Sequence, residues 1–358
     1  MILNPPSRVE ILFEGSNAMQ QAFSRRKALF TGIAAGMYLC TARIPQVSGQ
    51  NTDSRKQPGG KTAPGPTPVR LAIHIMREKG ESPEAMIRRV RESGYTAVKG
   101  ARHPGGNVGE PWNSMTQAER GEVVKACRKY DVIIYEVGGY TNLITPDDAK
   151  RRQNLAGLAH CLEVAESVGC PMVGTVAGTR DPKTLINVHP ENWTAATWKL
   201  LIQCLKQVLK DTSGMKAVIG MEAQVTTIID SPRAHRRLMD DLGDPRLKVN
   251  LDPVNMISLP QYYHTTELIN ECFDLLGEDI VACHAKDTQV IPDQQTLHIQ
   301  EVCPGRGVYD FRTYLLRMSR LKSPRALEPE HIPEEEYPEA KAFLEKTAAE
   351  AGVKMYGG

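Results

Sequence analysis

Four segments of the chain share one shape, a short apolar run that ends on a side chain able to hold a cation or move a proton. Residues 216–222 read KAVIGME, 246–252 read RLKVNLD, 279–287 read DIVACHAKD and 325–330 read RALEPE. The chemistry falls on Glu222, Asp252, His284 and Glu330. Two glutamates, one aspartate and one histidine form a hard, oxygen-rich donor set for a divalent ion. Taken singly, each has a plainer reading, a solvated loop carboxylate or a satisfied core histidine. Four of them closing four successive apolar runs are much harder to explain that way. Glu328 competes with Glu330 for the last position, because residues two apart in a strand share a face.

Apolar runs of this length, bounded by turn-forming residues, read as buried parallel strands. In a barrel of such strands the chemistry sits where the strands end. Further strands are expected at 70–75, 95–99, 131–137 and 171–176, ahead of the four above. Helices are expected over 83–93, 115–129, 146–168, 190–210, 231–242, 265–276, 309–321 and 335–351. Gly94 closes the first of these. Asp147 and Asp148 place acids in the first turn of the third, where the helix dipole favours them. Ser231 and Pro232 open the fifth as N-cap and first-turn proline. Trp193 and Trp198, on the fourth, are expected in the core. Eight strand–helix pairs without a solenoid-length repeat predict an α/β fold, a (β/α)8 TIM barrel, as one domain over residues 69–358.

Other reactive residues lie at the same strand ends or in the loops beyond them. Glu136 closes the third strand before Gly138 and Gly139, placed either to bind substrate or to pair with a basic side chain. Gly178, Thr179 and Arg180 follow the fourth strand, as an anion or hydroxyl contact or as a plain turn. His103 falls in a long Gly/Pro loop suited to a lid or pocket wall, and reads as a surface histidine. His298 and Glu301 lie in the loop after the seventh strand, ahead of Arg306 in a Pro-Gly-Arg-Gly turn.

With EVGGYTNL at 136–143, NLDPVN at 250–255, CPGRGVYDFRTYL at 303–315 and EHIPEEEYPEA at 330–340, the HAKD around His284 resembles the xylose isomerase-like barrels, specifically the sugar phosphate isomerase/epimerase group. The resemblance runs from Val69 to the C-terminus. It implies one divalent ion, Mn²⁺, Mg²⁺, Co²⁺ or Zn²⁺, held by Glu222, Asp252, His284 and Glu330, and a sugar or keto-sugar substrate. It implies also that Glu222 and Glu330 are the catalytic pair. One carboxylate removes a proton beside a carbonyl, the other returns one on the opposite face, and the ion stabilises the enediolate. Asp252 and His284 are then ligands only, with Lys286 and Asp287 orienting His284. Glu136, Lys286, His298, Glu301 and Arg306 are the expected substrate contacts, His298 and Arg306 at the far end. Relatives with several metals carry a histidine near Asn255, so an asparagine there favours a single ion. The same machinery also serves a lyase or dehydratase acting on a keto-sugar, a 3-keto-glycoside or an inosose. A non-catalytic sugar-binding barrel is the third reading, and two suitably placed glutamates speak against it.

Composition narrows the classes. A hydrophobic content of 41% and a charged content of 24% are those of an ordinary globular protein. The net charge of +2 and the lack of a basic run with interleaved aromatics give no case for nucleic acid. They disfavour an endonuclease, known elsewhere in this superfamily, as do the missing extra histidines. Residues 1–45 carry Arg25 and Arg26 before an apolar stretch at 28–42 that is too short to span a membrane. This resembles a Tat-type export signal, with Met19 as an alternative start. Residues 46–68 read as a flexible Gly/Pro-containing linker. The expected location is periplasmic or exported, the ion being loaded before export and the mature chain having no membrane span. An exported enzyme seldom meets sugar phosphates, which favours a free or oxidised sugar. The eight cysteines form no CxxC, which argues against a zinc knuckle or redox pair and leaves buried free thiols. A homo-oligomer is compatible with all of this.

Overall fold

The computed structural model describes residues 66–100 and 109–357. The export signal, nearly all of the linker and His103 lie outside the described residues. The strands are Arg70–Ile75 (β1), Ala97–Gly100 (β2), Ile133–Gly138 (β3), Met172–Val176 (β4), Val218–Glu222 (β5), Leu247–Leu251 (β6), Ile280–Ala285 (β7), Asp287–Val290 (β8), Ile299–Val302 (β9) and Ala326–Pro329 (β10). Eight of them close a barrel of parallel neighbours in the order β1-β2-β3-β4-β5-β6-β7-β10. The other two, β8 and β9, form an antiparallel hairpin in the connection after β7. That hairpin is absent from the sequence reading because DTQV and IQEV are short, polar and partly exposed, with no apolar run to mark them.

The helices are Pro83–Glu92 (α1), Gln117–Tyr130 (α2), Asp148–Val168 (α3), Ala195–Asp211 (α4), Pro232–Leu242 (α5), Leu259–Tyr262 (α6), Thr265–Leu276 (α7), Phe311–Met318 (α8) and Tyr337–Ala351 (α9). Capping side chains set where they start. Thr116 and Glu119 cap one another, so α2 begins at Gln117. The Asp147 carboxylate accepts from the amides of Ala149 and Lys150, which makes it the cap of α3 rather than a first-turn residue. Asp310 caps α8 in the same way, accepting from the Thr313 amide. Thr194 caps α4 and divides the expected 190–210 helix into a 3-10 turn, Pro190–Trp193, and α4 itself. The break turns Trp193 outward, 47% exposed, with its indole N–H donating to Asp230 at 2.9 Å. Core packing, expected for both tryptophans, holds for Trp198 alone.

Alternate residues of each barrel strand face inward. Small side chains, Ala72, Ala97, Ala282 and Ala326, pack there with Tyr135 and Met172. A Cβ on Gly174 would stand 2.4 Å from Glu136 Oε1, so glycine at that point makes room for an interior carboxylate. The two-residue period carries β7 from Ala282 to His284, and β10 from Ala326 to Glu328 and on to Glu330. Glu328 is the register partner of His284. The barrel thus has a small-residue part and, toward the C-terminal ends of its strands, a charged one. At its other end the Thr67 amide donates to Ser319 O at 2.8 Å, so the last linker residues already belong to the barrel. The seven described cysteines are free thiols, six of them buried. Among the described residues no helix is long and apolar enough to cross a membrane.

Candidate metal centre

Glu222 ends β5, Asp252 follows β6, His284 lies on β7 and Glu330 follows β10. All four are buried, and one donor atom from each lies within 4.8 Å of the others. That is roughly the span of ligands standing about 2.0–2.5 Å from a single ion. His284 Nδ1 is buried without a hydrogen-bond partner. It faces three carboxylate oxygens, Glu330 Oε2 at 3.2 Å, Asp252 Oδ2 at 3.4 Å and Glu222 Oε2 at 3.8 Å. An imidazole nitrogen facing three carboxylate oxygens at this range is a mixed N/O donor set that a divalent ion can hold. Lys286 Nζ lies 2.9 Å from Asp252 Oδ2 and 3.1 Å from Glu330 Oε2, and so bridges two oxygens that an ion would also use.

Around this set the barrel interior is densely charged. Lys99 on β2 reaches Glu330 Oε1 at 2.7 Å, Glu136 Oε1 at 3.2 Å and Glu328 Oε2 at 3.5 Å. Glu328 also takes His74 Nε2 at 2.8 Å and a hydrogen bond from the Tyr135 hydroxyl. Glu222 is fixed by two donors, the Tyr140 hydroxyl at 2.9 Å and the Asn255 side-chain amide. Five buried carboxylates, Glu136, Glu222, Asp252, Glu328 and Glu330, face two ammonium groups. Even a protonated His284 leaves an excess of negative charge, which a divalent ion fits. Burial lifts the Glu222 carboxyl above the usual carboxylate range, with His284 opposing. Burial also works to raise Asp252, but Lys286 and His284 outweigh it and hold that group at about 2. At Glu330 burial is overcome by His284, Lys99 and Lys286, and the group stays well below the usual range.

The position of Lys99 gives a stability prediction. Lys99→Met keeps most of the aliphatic stem but removes the ammonium from Glu136 and Glu328 and one of two from Glu330. Breaking a buried ion pair from one side costs about 3–5 kcal/mol, so the urea midpoint should fall accordingly. A shift worth less than ~1 kcal/mol would mean that solvent or another cation compensates those carboxylates.

The family model of the xylose isomerase-like TIM barrel matches residues 87–347 of this chain. The chain belongs to the xylose isomerase-like TIM barrel family. Solved structures with the same barrel include a xylose isomerase-like TIM barrel protein from Mycobacterium smegmatis in complex with magnesium. It is 14% identical, with a TM-score of 0.56, covering 79% of this chain and 97% of that one. The 3-keto-D-glucoside 4-epimerase from E. coli is 16% identical, with a TM-score of 0.53 and coverages of 78% and 99%. Endonuclease IV from Thermus thermophilus is 14% identical, with a TM-score of 0.59 and coverages of 78% and 99%. At such identities the likeness shows the fold alone. No curated protein sequence matches the chain.

In this xylose isomerase-like barrel not every residue expected at the site is there. Glu222, Asp252, His284, Glu330 and Lys286 come together. Glu301 stands at the edge, 3.7 Å from Lys286 Nζ and 2.8 Å from His331 Nδ1. Glu136 lies deep in the barrel, fully buried and held by Lys99 and by Asn250 at 3.0 Å, so the pairing reading of that residue is the one realised. Arg306 is paired with Glu336 at 2.7 Å and with Glu339, which it grips through two guanidinium nitrogens, and with none of the four candidate ligands. His298 sits on the exposed hairpin, bonded to Thr296 at 3.0 Å. Asp287 does not orient His284. Its carboxylate accepts from the amides of Thr288, Gly305, Gly307 and Tyr309 and pins the loop after β9. Arg180 is held by Ile144 O at 2.7 Å and by Glu191, as the turn reading requires. The sequence reading missed Lys99, Tyr140 and Asn250 as site residues. Lys99 carried a signal, since it too closes an apolar strand.

Proposed function

We propose that this protein is a divalent-metal-dependent sugar isomerase or epimerase that removes a proton beside a carbonyl. The observation that carries this reading is the buried set of Glu222, Asp252, His284 and Glu330, with His284 Nδ1 facing all three carboxylates. Asp252, His284, Glu222 and Glu330 would hold the ion. When bound, the ion supplies a positive charge that stabilises negative charge developing on the substrate's carbonyl oxygen. Glu222, oriented by Tyr140 and Asn255, takes the proton. Glu330, ionised in the resting protein, would return a proton on the other side by relaying one from the Lys99 ammonium, which donates to its Oε1 at 2.7 Å. Lys286 and Glu301 line the approach and can meet substrate hydroxyls.

A second reading, loss of a leaving group from the next carbon, draws on Tyr140. Burial, reinforced by Glu136 and Glu222, keeps its phenol protonated, and it adjoins Glu222 at 2.9 Å, where it could protonate a departing oxygen. Turnover of keto-sugars in D₂O separates the two. An isomerase or epimerase gives the rearranged sugar, with deuterium on the carbon beside the carbonyl unless the proton is returned without exchange, whereas a lyase releases a leaving group and gives an unsaturated product. Neither outcome across a broad panel, with the ion bound, would remove proton abstraction from the account.

Export is proposed on Arg25 and Arg26 alone. Changing both to lysine should retain an uncleaved precursor in the cytoplasm. Unchanged delivery, read by cell fractionation, would leave the segment as a basic arm.

A further inference from the structure

A cavity of about 230 Å³ adjoins the four candidate ligands. Asn255 belongs to both places. It lines the cavity, and its side chain donates to Glu222 and accepts from Lys286 at 3.2 Å. Glu301 lines the cavity 3.7 Å from Lys286, and His331 lines it with Nε2 3.7 Å from Glu330 Oε2. The cavity is therefore contiguous with the reacting centre. Its volume lies between the ~150 Å³ that accepts benzene and the roughly 300–1,000 Å³ of sites for drug-sized ligands, so it takes a single ring.

The wall is mixed. Val254 and Ile257 supply aliphatic surface, whereas Gln224, Thr226, Thr288 and Gln300 supply amides and hydroxyls. One of these polar groups is unsatisfied. Gln224 Oε1 is buried and has no hydrogen-bond partner among the described residues. Gln224 stands two residues beyond Glu222, and its backbone is held. The amide donates to Ile229 O at 2.8 Å, and the carbonyl accepts from the Thr227 amide at 2.9 Å. The side chain is thus rooted in a fixed turn. The wall's two threonine hydroxyls are committed elsewhere, Thr226 Oγ1 donating to Ile186 O at 2.6 Å and Thr288 Oγ1 to Gln300 O at 3.1 Å. A complex that leaves a buried acceptor dry and unpaired is weakened, and a ligand that brings an O–H to it is not. An apolar ring would leave Gln224 Oε1 unpaired. A pyranose has aliphatic C–H faces and a hydroxyl edge, and so meets both kinds of wall.

On the reading of the site given above, we infer that the cavity is a second sugar subsite, in which Gln224 Oε1 accepts from a ring hydroxyl. The substrate is then a glycoside whose second ring is itself a sugar, rather than a bare monosaccharide. Two glycosides of a 3-keto-hexose test this, one carrying glucose and the other tetrahydropyran, the same ring without hydroxyls. Each is titrated calorimetrically into manganese-loaded protein. The glucosyl compound should bind about 5- to 100-fold more tightly, since only it pairs the buried acceptor. Gln224→Met keeps the length of the side chain and removes the acceptor, and should lower that ratio at least about fivefold. Val225→Trp, at a residue that lines the cavity and is 39% exposed, fills the space from its rim. It should exclude both rings and bring the ratio to within about threefold of unity. Manganese content and thermal midpoint report the ion site and the fold of each variant independently of the cavity. A native ratio below about fivefold would mean that water serves Gln224 equally in both complexes, and overturns the assignment. A ratio that survives in either folded, manganese-loaded variant overturns it as well. Both results leave the ion site standing. Native protein that takes up no manganese overturns the underlying reading and this inference with it.

Discussion

Glu222→Gln in ion-loaded protein should lower turnover by at least about 10²-fold, the low end of what a positioned general base contributes. Glutamine keeps the size of the side chain and still offers an oxygen to Tyr140, so the local packing around β5 is retained. It cannot take a proton. Glu330→Gln should carry a cost of the same order, with one difference. Glu330 is gripped by Lys99 and Lys286, at 2.7 and 3.1 Å, and a neutral amide there leaves both ammonium groups with weaker partners. This variant should therefore lose stability as well as rate, whereas Glu222→Gln should lose mainly rate. Because both residues are candidate ligands, ion content is measured before either rate is compared. Undiminished turnover in both loaded variants would assign the base to another group.

The second large effect is on the ion itself. Asp252→Ala and His284→Ala should each weaken binding of a divalent ion by more than the roughly 10- to 100-fold typical of residues that only support ligands. Both residues are buried at about 1% exposure, so no neighbouring surface group can swing in to replace them. The Asp252→Ala variant has a further consequence. Asp252 Oδ1 accepts from the amides of Val254 and Asn255, and its loss loosens the turn that aims Asn255 at Glu222. Elemental analysis of protein dialysed against each metal reads the result, and full ion content in both variants would place the ion elsewhere.

The barrel and the four candidate ligands were legible in the sequence for a physical reason. A buried parallel strand is an apolar run, and where a reactive side chain interrupts its end the position is fixed by the period of two. Glu222, Asp252 and His284 follow directly from that rule. Glu330 follows with help from the EHIP run, and the structure separates it from Glu328, which Tyr135, His74 and Lys99 hold deeper in the barrel. Arg306 and His298 could not be placed this way. They sit on connections with no period, where the partner decides direction, and Glu336 and Glu339 claim Arg306 from 30 and 33 residues along the chain. Lys99 closes an apolar strand and was open to the same rule, whereas Tyr140 and Asn250 matter only through partners brought to them by barrel closure. The β8–β9 hairpin is likewise invisible without its register, since its polar residues carry no strand signal of their own.

Pulsed electron paramagnetic resonance of manganese-loaded protein tests the central claim, that the ion is held by Glu222, Asp252, His284 and Glu330, most directly. The account predicts coupling of the manganese to one imidazole nitrogen, which disappears in His284→Ala. An ion that shows no nitrogen coupling, or a coupling unchanged in that variant, would contradict it.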